Sequence, residues 1–339
     1  MSNILLVYTG GTIGSTVLNE TINTTDKQCY NLQNLFEQSY PEPNEFNFNA
    51  IQPVLLLSEN LFPSVWETLI AAIEAENTSQ YDGIIITHGT DTLAYTAAAL
   101  SLYFNTIKIP ILLVSSDYPL DNPQANGLNH FICAVEFIKQ RKEAGVFVPY
   151  KNTNSATFVH LGTRLASCLQ LSSDFISVQS KAYLRFEQNT FHQQNAINSI
   201  DRIKIQLAPQ FSPRILLIKP YPGLDYSHFM IDHADAVIHD LYHSGTACAT
   251  EDWGENHSLT KFIQRCRQRN IDLYLTPAIK ATNAYDSTRI LIEQGAKMIW
   301  NMSLESAYVK LLLAYGNFNN TDSINQFLEQ NIAFEIISN

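Results

Sequence analysis

Short apolar runs alternate with amphipathic stretches along most of the chain. The apolar runs predict buried strands, and windows with apolar residues three and four apart predict helices. The predicted strands are 4–7, 54–57, 84–86, 111–114, 214–218, 236–241 and 273–276. The predicted helices are 66–73, 92–104, 129–141, 226–233, 258–269, 287–294, 304–314 and 323–329. This alternation predicts an α/β fold with a mainly parallel sheet flanked by helices.

Two polar stretches interrupt the alternation. Residues 16–28 show little periodicity and predict a long mobile loop, of the kind that closes over a site as a lid. Residues from about 180 to 213 are rich in Gln and Asn, which is typical of an interdomain connection. A chain of 339 residues is long for one core. We therefore predict a larger N-terminal domain over 1–190, a linker over 191–212 and a smaller C-terminal α/β domain over 213–339.

The amino-acid composition indicates which classes of molecule this protein can bind. The chain has 21 Lys and Arg against 32 Asp and Glu, a formal charge of −11, which argues against nucleic acid because phosphate binding needs a basic surface. No apolar stretch approaches the roughly 20 residues of a membrane span, and the first residues do not resemble an export signal. The five cysteines are scattered. We therefore expect reduced thiols, no disulfide frame, no membrane contact and a cytoplasmic location.

A turn rich in glycine and threonine follows the first predicted strand. Residues 8–15 read Tyr-Thr-Gly-Gly-Thr-Ile-Gly-Ser, and the spacing is that of neither a dinucleotide fingerprint nor a Walker loop. Glycine lets the chain turn sharply and exposes backbone N–H groups, while Thr12 offers a hydroxyl nucleophile at the sheet edge. The alternative is a tight turn in which Thr12 merely caps a helix.

A second polar segment follows the strand 84–86. Residues 87–92 read Thr-His-Gly-Thr-Asp-Thr and lead into the helix 92–104. Asp91 then lies near a helix N-terminus, where an anion is favoured. In the functional interpretation Asp91 binds the ammonium of an amino-acid substrate, and Thr90 works with a base to activate Thr12 or water. In the alternative, Asp91 only caps the helix.

The two segments together resemble the signature segments of the bacterial-type L-asparaginase family, at their usual spacing. Residues 93–97 continue the second signature, and Ser58-Glu59-Asn60 occupies the place of the family's serine-containing substrate loop. Tyr8 and the continuation 93–97 favour the cytoplasmic (type I) subtype. The resemblance extends over essentially the whole chain and is weak after about residue 105.

The resemblance implies an amidohydrolase that converts L-asparagine to L-aspartate and ammonia, with no metal or organic cofactor. Its catalytic residues are then Thr12, the nucleophile, with Thr90 and Asp91. The substrate-binding residues that it implies are Gly11, Ser58, Glu59, Gly89 and Asp91. The implied partner is a small amino-acid amide, and the implied assembly is a homodimer or homotetramer.

Three positions depart from the family pattern. Ser167 stands where the family has a lysine, residues 115–117 read Ser-Ser-Asp where it has Gly-Ser-Gln, and Tyr30 is the nearest candidate for the lid tyrosine, a few positions late. A serine cannot act as the base that a desolvated lysine provides. These departures leave open a different amide substrate (glutamine, a D-amino acid or a small peptide amide) or a non-catalytic homologue that binds an amino acid.

Other candidate residues carry less weight. His239 and His243 have the spacing of a helical metal site, but on a strand they lie about 13 Å apart, too far for one ion. We therefore expect no metal there. His88 is expected to be structural, and Cys168 is a conceivable nucleophile with no partner histidine nearby in sequence.

Overall fold

The chain divides into two compact units. The structure, a computed structural model, describes residues 1–18, 21–24, 29–196, 202–281 and 283–337, with only the backbone for 16–18, 21–24 and 29–30. The first unit comprises Met1–Pro209 and Ile332–Phe334, and the second comprises Gln210–Asn331 and Glu335–Asn339. No helix in the described ranges is both long and apolar enough to cross a membrane.

The first unit is built on an eight-stranded mixed sheet in the order β10-β9-β8-β7-β6-β5-β1-β4. The strands described in the first unit are those of this sheet together with β2 and β3: β1 Ser2–Val7, β2 Ser15–Leu18, β3 Thr21–Thr24, β4 Phe46–Ile51, β5 Gly83–Thr87, β6 Pro110–Val114, β7 Gly145–Lys151, β8 Thr157–Leu161, β9 Leu184–Glu187 and β10 Thr190–Gln193. Strands β4, β1, β5, β6 and β7 are parallel, and β8, β9 and β10 extend the sheet antiparallel. Strands β2 and β3 form a separate hairpin.

Continuous apolar runs explain the parallel centre of this sheet. All residues of β5 and β6 are buried, as expected for strands covered on both faces. The helices of this unit are α1 Cys29–Ser39, α2 Pro63–Ala75, α3 Leu93–Tyr103 and α4 Gly127–Gln140. Helix α2 buries Trp66, Leu69, Ile70 and Ile73, which share one helical face.

The last segment of the first unit comes from the end of the chain. Thr163 Oγ1 donates a hydrogen bond to the Ala333 carbonyl at 2.8 Å, and Arg164 Nε donates to the Phe334 carbonyl at 2.7 Å. The Arg202 guanidinium lies over the Phe334 ring at 4.7 Å. These contacts place Ile332–Phe334 within the first unit.

The second unit has a four-stranded parallel sheet in the order β11-β12-β13-β14. Its strands are β11 Ile215–Ile218, β12 Ala236–Asp240, β13 Asp272–Ala278 and β14 Lys297–Trp300, and its helices are α5 Leu259–Gln268, α6 Asp286–Glu293, α7 Leu304–Asn317 and α8 Thr321–Glu329. Lys310 Nζ and Glu335 Oε1 form a fully buried ion pair at 2.7 Å. Because Lys310 also donates to the carbonyls of Leu328 and Gln330, the pair attaches the chain end to α7.

The predicted α/β class, with a mainly parallel sheet and a smaller second α/β part, is confirmed. Two predicted elements are wrong. The strand 54–57 forms only a bridge from Leu56 to Gly10, and β4 is the edge strand that pairs with β1 on the side away from β5. The helix 226–233 is a single 3-10 turn, Tyr226–His228, which ends where the backbone becomes extended at Phe229 (φ −96°, ψ 115°). Arg265 donates to the carbonyls of Tyr226 and Phe229.

Two polar stretches also differ from expectation. Within the predicted loop 16–28, residues 16–18 and 21–24 form the hairpin of β2 and β3. Residues 19–20 and 25–28 and the side chain of Tyr30 lie outside the described residues, so the lid stays a prediction. The predicted linker 191–212 begins inside β10, which pairs with β9 in the main sheet.

Candidate active site

The two predicted turns lie side by side at the carboxyl edge of the main sheet. Strand β1 pairs in parallel with β5, Val7 opposite Ile86. Beyond the strands, Thr9 N donates to Thr87 Oγ1 at 3.2 Å, and Thr9 Oγ1 donates to the Thr87 carbonyl at 2.5 Å. The sequence analysis did not predict the contact between Thr9 and Thr87. The threonine near the end of each strand could have indicated it.

Two glycines of the first turn allow backbones to approach one another. Gly10 and Gly11 have φ of 99° and 77°, a region that favours glycine. A Cβ on Gly11 would lie 2.4 Å from Gly89 N, and one on Gly10 would lie 2.4 Å from the Leu56 carbonyl oxygen. The first turn is therefore packed against both the second turn and the segment that leads to Ser58.

Ser58 joins this segment to the second turn. Its Oγ accepts from Asp91 N at 3.2 Å and donates to Asp91 Oδ2 at 3.2 Å. Thr92 Oγ1 donates to the Ser58 carbonyl at 3.0 Å. A Cβ on Gly89 would lie 2.3 Å from Ser58 Oγ, so a side chain there would displace the Ser58 hydroxyl.

The reactive candidates follow these glycines directly. Thr12 is half-buried and begins a 3-10 turn, Thr12–Gly14, whose start is fixed by Ser15 Oγ donating to the Gly11 carbonyl at 2.7 Å. Thr90 is half-buried and Asp91 is exposed. The structure thus brings together the segments that carry six of the predicted residues (Gly11, Thr12, Ser58, Gly89, Thr90 and Asp91).

Glu59, the remaining predicted residue, is not bonded to this cluster. Its side chain is exposed and makes no hydrogen bond or ion pair with any described residue. Its link to the cluster is therefore its position next to Ser58.

His88 supports the second turn from inside the protein. Its Nδ1 donates to the Gly89 carbonyl at 2.7 Å, and its Nε2 accepts from Thr96 Oγ1 at 2.9 Å. Trp66 Nε1 in turn donates to Thr96 Oγ1 at 3.0 Å. Burial lowers the pKa of His88 to about 4. A neutral ring with both nitrogens engaged is a structural histidine and not a general base.

Residues 115–117 organise the start of α4 beside the next strand. Ser116 Oγ accepts from Gly127 N at 3.2 Å. Asp117 Oδ1 accepts from Asn126 N at 3.2 Å, and Asn126 Oδ1 accepts from Asp117 N at 3.0 Å. The aspartate at this departure from the family pattern therefore closes the loop between β6 and α4.

The segment that carries Ser167 lies within electrostatic reach of Asp91. Ser167 is half-buried, and the neighbouring Cys168 donates from Sγ to the Ser172 carbonyl at 2.8 Å. Burial, together with the negative charges of Asp174 and Asp91, raises the pKa of the Cys168 thiol. A protonated thiol is a poor nucleophile, which argues against the Cys168 alternative.

The histidines weighed as metal ligands do not form a metal site. His239 Nδ1 donates to the Asp240 carbonyl at 2.5 Å, and Tyr226 OH donates to His239 Nε2 at 2.9 Å. Both ring nitrogens are therefore occupied, while His243 is exposed on the following loop. Across the described residues, no three His, Cys, Asp or Glu side chains are grouped as a metal site requires. The cysteines whose side chains the structure describes, at positions 133, 168, 248 and 266, are free thiols.

Comparison with known proteins agrees with this geometry. Residues 3–197 match the family model "Asparaginase, N-terminal". A glutamyl-tRNA(Gln) amidotransferase subunit of Methanosphaera stadtmanae is 26% identical, covering 98% of this chain and 76% of that protein. The subunit of the same name from Methanococcus maripaludis is 28% identical, covering 99% of this chain and 81% of that protein.

Solved structures of L-asparaginases share the fold. The thermostable L-asparaginase from Thermococcus kodakarensis superposes with a TM-score of 0.81 at 23% identity, over 99% of this chain and 100% of that one. L-asparaginase I from Vibrio cholerae superposes with a TM-score of 0.75 at 22% identity, over 99% of both chains. Because the family model covers more than half of the sequence, this chain belongs to the asparaginase family.

Proposed function

We propose that this protein hydrolyses a side-chain carboxamide other than that of free L-asparagine, with Thr12 as the nucleophile. The close approach of Gly11 to Gly89, with Ser58 bonded to Asp91, is the observation that carries the proposal. It gathers a hydroxyl, backbone N–H groups and a carboxylate at one sheet edge. The relatives named as amidotransferase subunits favour an amide substrate different from that of the L-asparaginases.

The proposed reaction has two steps. The Thr12 hydroxyl attacks the carboxamide carbon, and its proton passes to the departing nitrogen, which leaves as ammonia. Backbone N–H groups of the glycine turns stabilise the oxyanion, and Asp91 binds the ammonium group of the substrate. Water then cleaves the ester on Thr12, which releases a carboxylate and restores the hydroxyl.

The serine at position 167 favours a reaction that differs from that of the asparaginases. The family's lysine is a candidate base because desolvation lowers its pKa, and a serine hydroxyl at that position does not replace it. The nucleophile and its surrounding glycines are nevertheless retained. This combination favours a substrate or a proton path that differs from those of the asparaginases.

Two other functions remain candidates on particular observations. Free L-asparagine is favoured by the fold shared with L-asparaginases. A non-catalytic amino-acid binder is favoured by Ser167. We further propose a cytoplasmic location, as in the Campylobacter jejuni protein described as a probable cytoplasmic L-asparaginase, and a homodimer or homotetramer.

Ammonia release from a panel of amides tests the proposal. The panel is L-asparagine, L-glutamine, D-asparagine and a small peptide amide, with the native chain, Thr12→Ala and Thr68→Ala. Thr68 is an exposed residue of α2, so Thr68→Ala controls for loss of a threonine hydroxyl. We expect turnover of an amide other than L-asparagine, lost in Thr12→Ala and retained in Thr68→Ala.

Each other outcome selects a different function. Fastest turnover of L-asparagine would return the assignment to an asparaginase, and full activity in Thr12→Ala would remove Thr12 as the nucleophile. No turnover of any amide, with a rise in melting temperature on adding L-asparagine or L-aspartate, would identify a binding protein. A gain of turnover in Ser167→Lys would show that the serine had disabled the site.

A further inference from the structure

Three consecutive hydrogen bonds run from helix α2 through the interior to the second turn. Trp66 Nε1 bonds to Thr96 Oγ1, and Thr96 Oγ1 bonds to His88 Nε2. The last bond joins His88 Nδ1 to the Gly89 carbonyl. The side chains of Trp66, Thr96 and His88, together called the buried relay, are almost completely shielded from water. The reaction described above uses none of them.

The indole of Trp66 fixes the direction of the protons in the buried relay. An indole N–H only donates, so Thr96 Oγ1 accepts from Trp66. Among the described residues, the Thr96 hydroxyl has His88 as its other partner, so its proton goes to His88 Nε2. A carbonyl oxygen only accepts, so His88 Nδ1 carries the ring proton. The relay therefore has one tautomer and one direction, which ends at the Gly89 carbonyl.

Burial makes this arrangement stable and increases its effect. It lowers the pKa of His88 to about 4, so at neutral pH the ring keeps a lone pair on Nε2 for the Thr96 proton. In a series of groups that each accept and donate, every hydrogen bond strengthens the next one, and exclusion of water enhances the effect. The Gly89 carbonyl therefore receives a stronger hydrogen bond than an isolated imidazole would donate.

The Gly89 carbonyl belongs to the same peptide group as the Thr90 N–H. This peptide is trans, and in a trans peptide the C=O and N–H bonds point in opposite directions. Because the carbonyl points to the buried His88 ring, the Thr90 N–H points away from that ring. Thr90 N donates to no described residue, and Thr90 is half-buried. This N–H is therefore available to a ligand.

The second turn lies against the turn that carries the proposed nucleophile. A Cβ on Gly11 would lie 2.4 Å from Gly89 N, and Thr12 follows Gly11 directly. An oxyanion formed by attack of Thr12 therefore develops close to the second turn. A hydrogen bond to a carbonyl oxygen draws electrons from the peptide nitrogen, so the Thr90 N–H becomes a stronger donor to such an anion.

We propose that Trp66, Thr96 and His88 are positioning residues, which orient and strengthen the Thr90 N–H as a donor to the oxyanion. The proposal rests on the proposed amide hydrolysis and adds a buried source of transition-state stabilisation to it. The three side chains act through the peptide between Gly89 and Thr90. Because the oxyanion exists only after the nucleophile has attacked, the buried relay should affect kcat and leave KM unchanged.

Steady-state kinetics of Thr96 variants test the proposal, with the amide identified in the panel. Removing a whole oxyanion donor costs about a hundredfold to a thousandfold in kcat. Thr96→Val only weakens the donor, so we expect kcat to fall about threefold to tenfold with KM unchanged. Thr96→Ser keeps the hydroxyl and should restore kcat.

Thr260→Val is the matched control for loss of a buried hydroxyl. Thr260 is a buried threonine of α5 in the second unit, and its hydroxyl bonds to Ser258 Oγ at 2.7 Å. Thr260→Val should leave kcat unchanged, and melting temperatures of all variants show whether each one is folded. Equal loss of kcat in Thr96→Val and Thr260→Val would overturn the proposal.

Trp66→Phe tests the first bond of the buried relay. Phenylalanine keeps an aromatic ring but has no N–H, so kcat should fall by a smaller factor than in Thr96→Val. When Thr96 is already valine, the indole has no hydroxyl to bond to. The double variant should therefore have the kcat of Thr96→Val alone, and independent, multiplying losses would contradict the relay.

The Thr90 amide resonance reports on the same bonds without a substrate. In protein with isotopically labelled threonine, Thr96→Val should shift the Thr90 amide proton and nitrogen resonances upfield, and Thr260→Val should leave them in place. If the native chain hydrolyses no amide of the panel, the proposed function fails, and these resonances still decide whether the relay acts on the Thr90 N–H. The proposal is overturned by unchanged Thr90 resonances or unchanged kcat in Thr96→Val, or by equal loss of kcat in Thr96→Ser and Thr96→Val.

Discussion

The Ser58 hydroxyl holds the acidic residue of the candidate site in place. It donates to the Asp91 carboxylate and accepts from the Asp91 backbone, so one side chain fixes both the direction and the position of the negative charge. Asp91 is otherwise exposed, and an exposed carboxylate samples several rotamers. The proposed binding of a substrate ammonium therefore depends on Ser58.

Ser58→Ala should lower kcat/KM for the amide identified in the panel by about tenfold to a hundredfold. A hydrogen bond to a charged group contributes about 1.5–3 kcal/mol, and each 1.4 kcal/mol is a factor of ten. Steady-state ammonia release measures the change. Ser64→Ala, an exposed serine at the start of α2, should leave the rate unchanged. Equal kcat/KM in Ser58→Ala and the native chain would mean that Asp91 needs no orientation.

At the scale of elements, two turns from different parts of the chain form one surface. The turn after β1 lies against the turn after β5 through Gly11 and Gly89, where the backbones leave no room for a side chain. The parallel pairing of β1 with β5 sets this arrangement. The position of the proposed nucleophile is therefore determined by sheet register and glycine together.

Replacing Gly11 should show how tightly the turns are packed. Gly11→Ala places a methyl 2.4 Å from Gly89 N at a φ of 77°, so we expect the melting temperature to fall by several degrees and amide turnover to disappear. Gly14→Ala is the control in the same turn, because a Cβ there meets no atom within 4 Å. Equal melting temperatures for the two variants would contradict the packing.

The helices and strands that could be predicted from the sequence are those whose local hydrophobic pattern matches their burial in the structure. Strands β5 and β6 are buried throughout, their apolar runs were found, and both signature turns were placed at their strand ends. Strand β4 was missed because its apolar residues alternate with asparagines, as on a partly exposed strand at the sheet edge. The links from Ser58 to Asp91 and from Thr9 to Thr87 join residues 33 and 78 positions apart, which no local pattern encodes.

Buried neutral histidines make the stability of the whole molecule sensitive to acid. Burial lowers the pKa of His88, His130, His160 and His239 from 6.5 to about 4. Between these values the unfolded chain takes up protons that the folded chain does not. Stability therefore falls as the pH drops from about 6.5 towards 4.

Urea unfolding at pH 7, 6 and 5 should show this loss of stability. Each buried histidine lowers the free energy of unfolding by at most about 3 kcal/mol, because one pKa unit corresponds to 1.36 kcal/mol. His160→Gln should make the free energy of unfolding less dependent on pH, and His243→Gln, at an exposed position, should leave that dependence unchanged. A free energy of unfolding that stays constant from pH 7 to pH 5 would contradict the burial of these rings as neutral groups.

The contribution of Ile332–Phe334 to the first unit has a consequence for synthesis on the ribosome. Domains near the N-terminus usually fold while the rest of the chain is still being made. Here the Thr163 hydroxyl forms its hydrogen bond with a carbonyl that lies 170 residues further along the chain. The first unit thus reaches its final set of contacts only after Ile332–Phe334 have been synthesised, so a ribosome stalled before Ile332 holds an incomplete first unit.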